Sequence, residues 1–215
     1  MKRLTNNPKP SLKAPKPVEH TVQKPEIAQN VPNQSIAKKN RTFGRDEVLA
    51  ALQGLSRGLA AKGVHDVEIR IFGSVALICA FPDTRRLTTD LDAIISSPVV
   101  RTVAKDVGKT LQLPEDWLNE DVRTYARPSL QFVEHRFPGC ENIKVLALTP
   151  PSLFAMKCAS SRDGDDQEDL KYLAEKLGIH TLREAEDIFE MFYPCEAMGE
   201  LAMENLIEYC NGRYE

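Results

Sequence analysis

The segment DLDAII, residues 90–95, restricts the fold more than any other stretch of the chain. Side chains alternate across a strand, so Asp90 and Asp92 share one face while Leu91 and Ala93 take the other. Two carboxylates that close repel, and burying either one unpaired is costly. A divalent cation resolves the conflict, because Mg2+ prefers hard oxygen ligands and typically takes one or two carboxylates together with substrate phosphates. A D-x-D pair alone equally suits a solvated strand edge. Its neighbours decide.

The preceding DVEIRIF alternates, with Val67, Ile69 and Ile71 on one face, and reads as a strand. It ends at Gly73-Ser74. Glycine lets the backbone come close to a ligand, free N–H groups at such a turn can hold phosphate, and the serine hydroxyl adds a donor. VALICAF then reads as a helix or buried segment before the chain returns in the D-x-D strand. A phosphate cradle beside a candidate metal pair is the equipment for nucleoside-triphosphate chemistry.

The remaining elements support an α/β (α+β) chain. Val48, Leu52, Leu55 and Leu59 form a helical stripe stopped by Gly63. Ser97 is placed to cap, and Pro98 to open, a helix striped by Val100, Val103, Val107 and Leu111. SLQFVEHRF and NIKVLALT read as strands around a turn at Pro138-Gly139. From Pro151 the pattern is helical: SLFAMKCAS, then a stripe of Leu170, Leu173 and Leu177, then a Thr181/Glu184 capping box, then a last helix carrying Leu206 and Ile207. The expectation is a small mixed sheet flanked by helices and followed by a helical C-terminal part.

Charge divides the 215 residues unevenly. Residues 1–43 carry nine Lys/Arg against two Glu, net +7; with −3 overall, residues 44–215 carry −10. The same 43 residues hold six of the 14 prolines and read as a disordered basic tail, either a solvated linker or an arm for nucleic acid or a protein partner. The expected organisation is therefore a tail over 1–43, a core over 44–150 and a helical region over 151–215. Five scattered cysteines without a C-x-x-C pair argue against a disulfide framework or zinc site and suit a reducing, cytoplasmic setting. No signal peptide or membrane span is visible. His65, His135 and His180 stand in unrelated contexts, so no Ser–His or Cys–His nucleophile system is set up, and Trp117 reads as a packing residue.

The order G-S, spacer, D-x-D resembles the signature of the DNA-polymerase-β-like nucleotidyltransferase superfamily. Its fuller form, GSVAL…RRLTTDLDAII with Arg86, Thr88, Asp90 and Asp92 as R-x-T-x-D-x-D, is similar to the AbiEii/MenT branch. That branch comprises nucleotidyltransferase toxins of bacterial toxin–antitoxin and abortive-infection systems, with uncharacterised relatives. LPEDWLN at 113–119 is similar to a stretch in those relatives, and LFAMKCASSRDGDDQEDLKYL resembles the later motifs, a Lys, an Arg and a D-x-x-D-L helix. These fall on Lys157, Arg162, Asp166 and Asp169, and the resemblance covers roughly 70–195.

The resemblance implies a polymerase-β-type nucleotidyltransferase fold. It also implies transfer of a nucleoside monophosphate from a triphosphate, with Mg2+ or Mn2+ on Asp90 and Asp92. Gly73, Ser74, Lys157 and Arg162 would then bind nucleotide, with Asp166 and Asp169 completing the polar wall. Arg162 either positions phosphate or pairs with one of those acids. Glu134 is a candidate third carboxylate, against its plain reading as an exposed strand residue. The implied acceptor is a tRNA or other RNA and the implied partner an antitoxin. A folded part at −10 suits RNA poorly unless Arg123, Arg127 and Arg136 form a basic patch or the tail supplies one. Transfer to a protein hydroxyl, and a non-catalytic nucleotidyltransferase-like binding module, are the alternatives.

Overall fold

The alternating strand DVEIRIF forms the centre of the sheet. In a computed structural model that describes residues 42–160 and 165–214, β1 (Val67–Ile71) buries Val67, Ile69 and Ile71 and has a neighbour on each side. On one side it pairs antiparallel with β2 (Leu91–Ile95), Ile71 opposite Ala93. On the other it pairs parallel with β5 (Ile143–Leu148), Ile71 opposite Ala147. The short β3 (Leu118–Asn119) extends the sheet beyond β2, and β4 (Phe132–His135) closes the far edge against β5. The order is β3-β2-β1-β5-β4, a five-stranded mixed sheet in an α/β chain.

Seven α-helices accompany the sheet among the described residues. Helix α1 (Arg45–Ala60) packs on α3 (Val99–Leu111), the short α2 (Gly73–Ala80) follows β1, and α4 (Pro150–Ser160) packs against α2, α5 (Asp165–Leu177), α6 (Leu182–Phe192) and α7 (Glu200–Tyr209). Helix α2 buries six of its eight residues, so the VALICAF segment is a helix enclosed on most sides. The Thr181/Glu184 box forms at the start of α6, with Glu184 N donating to Thr181 Oγ1 at 3.3 Å and Thr181 N to Glu184 Oε2 at 3.0 Å. One apolar core runs through both the sheet and the C-terminal helices.

Two expectations need correction. Order reaches back past the expected tail boundary: Phe43 is 1% exposed, lies in the core and bridges Thr88 through hydrogen bonds of 2.7 and 3.0 Å. Residues 1–41, the rest of that tail, lie outside the described residues. Helix α3 starts at Val99 rather than Pro98, with Ser97 Oγ accepting from Val99 N at 3.4 Å. The expected last helix forms as α7 and carries both Leu206, buried, and Ile207, exposed. Trp117 is 1% exposed and donates from Nε1 to the Ala104 carbonyl at 3.0 Å, a packing role.

The α1–α3 contact is close because α1 presents glycines there. A Cβ built on Gly58 would lie 2.4 Å from Val103 Cγ1. Gly58→Ala is expected to cost about 1–3 kcal/mol through overpacking, seen as a lower urea midpoint, and Val103→Ala in the same chain should recover part of it. His135 offers a second test. Its Nε2 is shut from solvent without a hydrogen-bond partner among the described residues, and burial, then the nearby Arg45 charge, holds its pKa below the ordinary imidazole value. The unfolded chain therefore takes up this proton first. Stability should fall as pH drops below about 6.5 and level off below the folded-state value. His135→Phe should flatten that slope in denaturation curves measured across the window.

Candidate active site

A cleft of about 300 Å3 opens at the ends of β1 and β2, and Gly73, Ser74, Asp90, Asp92, Lys157 and Asp166 all line it. The antiparallel β1–β2 pairing causes this meeting. It sets the exit of β1 beside the entry of β2, and Phe72 N donates to the Asp92 carbonyl at 2.9 Å to hold them together. Asp92 is the second residue of β2 and Asp90 directly precedes the strand. Both are half-buried while Leu91 and Ala93 are fully buried, as alternation requires.

Gly73 opens α2 with φ +58°, a left-handed conformation that side chains other than glycine rarely adopt. A Cβ there would also stand 2.8 Å from Asp92 Oδ2. The absent methyl thus leaves room for the carboxylate directly beneath the start of α2. The first N–H groups of a helix lack helical acceptors and carry partial positive charge, which suits an anion. Asp90 is oriented from two sides: Asn119 Nδ2 donates to its Oδ2 at 3.1 Å, and Thr88 Oγ1 bonds its carbonyl at 2.9 Å and its Oδ1 at 3.4 Å.

The opposite wall is built on a buried acid. Asp169, only 3% exposed, places Oδ2 at 2.9 Å from Lys157 Nζ and Oδ1 at 2.9 Å from Arg86 Nε. It also accepts from Ser74 Oγ at 3.3 Å. Lys157, 4% exposed on the otherwise apolar α4, bonds Asp166 as well. Asp166 and Asp169 both pair with the Lys157 ammonium, which lines the cleft. Asp169 itself does not line the cleft. It anchors Lys157, Arg86 and Ser74 from behind, so the i, i+3 pair on α5 divides into Asp166 at the wall and Asp169 beneath it.

Other expected residues stand elsewhere. Arg162 lies outside the described residues. Glu134 is exposed on β4, pairs with Arg136 at 3.1 Å and does not line the cleft. Arg123 pairs with Glu120, Arg127 with Glu196 at 2.8 Å and Arg136 with Glu134, so these arginines are offset by acids rather than forming a basic patch. The cysteines are free thiols, and burial pushes Cys79 up to about 12, which makes it a poor nucleophile. Asn119 was not singled out from sequence, although its position opposite Asp92 in the β2–β3 register is what brings it to Asp90. Asp121 and Tyr125, also in the cleft, had no sequence signal beyond lying shortly after LPEDWLN.

Asp90 and Asp92 are the groups that could hold a cation. Among the described residues no cluster of three His, Cys, Asp or Glu is arranged for a metal. The donor set fits a hard divalent ion that completes its shell with ligand phosphates, and does not fit one held by protein groups alone. Among the described residues no helix is long and apolar enough to cross a membrane. Comparison with family models, curated proteins and solved structures gave no match.

Removing the Asp169 charge tests the wall. Asp169→Asn removes the acid shared by buried Lys157 and partly buried Arg86 and is expected to destabilise the fold by roughly 3–5 kcal/mol. The loss should show in thermal unfolding and shrink when Arg86→Met is added, because one of the two cations that share Asp169 is then gone.

Proposed function

We propose that the protein is a metal-dependent nucleotidyltransferase with a polymerase-β-type fold, acting on a nucleoside triphosphate and an RNA acceptor such as tRNA. The observation that carries this reading is the placement of Asp90 and Asp92 in one cleft with the Gly73–Ser74 turn and Lys157. Mg2+ or Mn2+ on the two carboxylates would neutralise the phosphate chain and favour in-line attack at the α-phosphorus.

The chain's own groups divide the remaining work. The backbone N–H groups at Gly73 and Ser74 receive the β- and γ-phosphates, while the Ser74 hydroxyl, donating to Asp169, ties that turn to α5. Lys157 offsets their charge while Asp169 keeps its ammonium in place. An acceptor hydroxyl gives its proton to one of the two aspartates, forms the new bond to the α-phosphorus, and pyrophosphate departs. Asn119 and Thr88 hold Asp90 in a fixed orientation, so less reorganisation is needed when the substrate arrives. A role as a toxin held by an antitoxin rests on the sequence resemblance alone. Protein modification and a non-catalytic binding module remain the competing readings. Support for an RNA acceptor comes from the net charge of +7 on residues 1–41.

Transfer from each of the four labelled triphosphates to total RNA, in Mg2+, is the test. Wild type should label RNA with at least one nucleotide, and Asp92→Ala should lose about 100-fold or more of that activity while keeping its fold. Label appearing in protein alone would favour the protein acceptor. Equal activity in the two proteins would sink the assignment.

A further inference from the structure

The cleft is polar on the side just described, but a 310 turn, Asp121–Thr124, brings a different surface to it. Val122 and Met156 are buried apolar residues of the lining, and half-buried Tyr125 also lines it. Tyr125 is the one aromatic ring lining the cleft among the described residues, and there it has no ring, cation or hydroxyl partner. Its backbone is nonetheless pinned. Tyr193 Oη donates to the Tyr125 carbonyl at 2.7 Å, and Tyr125 N donates to Val122 O at 2.9 Å. Arg127 Nη1 donates to the carbonyls of Thr124 and Ala126 on either side, at 2.9 and 3.2 Å.

The fixed backbone holds a half-buried ring that packs on the core yet has no aromatic partner among the described residues. Buried or half-buried rings ordinarily gain from aromatic or apolar partners. A flat heteroaromatic ligand would supply one, and base–aromatic stacking tolerates any base because every base has a π-face. We infer that Tyr125, in a lining that also carries the apolar Val122 and Met156, is the stacking platform for the nucleobase of the triphosphate whose phosphates lie toward Gly73, Ser74 and Lys157. This rests on the nucleotidyltransferase reading and deepens it, by separating a base-binding half of the cleft from a phosphate-binding half.

Calorimetry in Mg2+ with the four nucleoside triphosphates and with inorganic tripolyphosphate, which has no base, tests it. Tyr125→Leu keeps apolar bulk and removes the ring; Tyr125→Phe keeps the ring. The expected result is that Tyr125→Leu weakens binding of the preferred nucleotide about tenfold or more, Tyr125→Phe stays within about twofold of wild type, and tripolyphosphate binds all three proteins alike. Unchanged nucleotide binding in Tyr125→Leu would overturn the inference. So would an equal loss of nucleotide and tripolyphosphate, which indicates a merely structural role, or a loss confined to the acceptor's KM in RNA labelling. Wild type that binds tripolyphosphate as tightly as any nucleotide removes the base platform and leaves the phosphate site standing. Wild type that binds neither takes down the underlying reading as well.

Discussion

The antiparallel join between β1 and β2 is the constraint on which the rest of the site depends. It lets the end of one strand and the start of the next share one corner, so that a glycine turn and a carboxylate can meet within van der Waals distance. Gly73 satisfies two demands there at once: a left-handed φ of +58° and an absent Cβ where Asp92 Oδ2 stands. A residue with a side chain would have to move either the strand or the acid. The core behind the corner opposes both movements, because Ile71, Leu91 and Ala93 are fully buried. Packing thereby becomes positional accuracy for two acids.

The second support is electrostatic. Lys157 sits in a helix that is otherwise part of the core, and a lone ammonium at that depth would be costly. Asp169 relieves the cost and also gathers Arg86 and Ser74, so a single buried carboxylate ties α2, the loop before β2, α4 and α5 together. Segments distant in sequence reach the cleft through it. The C-terminal helices are consequently a structural part of the site's wall, and any movement of α5 would be felt at Ser74 and Lys157.

Much of this was legible in the sequence, for local reasons. The alternation of Val67, Ile69 and Ile71 marks β1 because a half-buried strand has a period of two. The Gly73-Ser74 break and the D-x-D pair stand out because they interrupt apolar runs. The five-stranded order, in which β5 inserts beside β1 while β4 takes the edge, depends on non-local pairing that no local pattern encodes. The resemblance made Asp169 a member of the polar wall, and helical spacing puts it on one face with Asp166. Its burial depends on how α5 meets α4, which spacing does not reveal. Asn119 was hidden similarly, since a two-residue strand has no detectable period. Phe43 fell on the wrong side of the tail boundary because one aromatic after a basic run carries little weight until its partner, Thr88, is known.

A crystal grown with Mn2+ and a non-hydrolysable α,β-methylene triphosphate, recorded at a wavelength where manganese scatters anomalously, addresses the central claim most directly. The account predicts a peak bonded to oxygens of both Asp90 and Asp92, with the phosphate chain running from it to the Gly73–Ser74 backbone. Manganese bound elsewhere, or a triphosphate seated away from that turn with the two aspartates untouched, would contradict it.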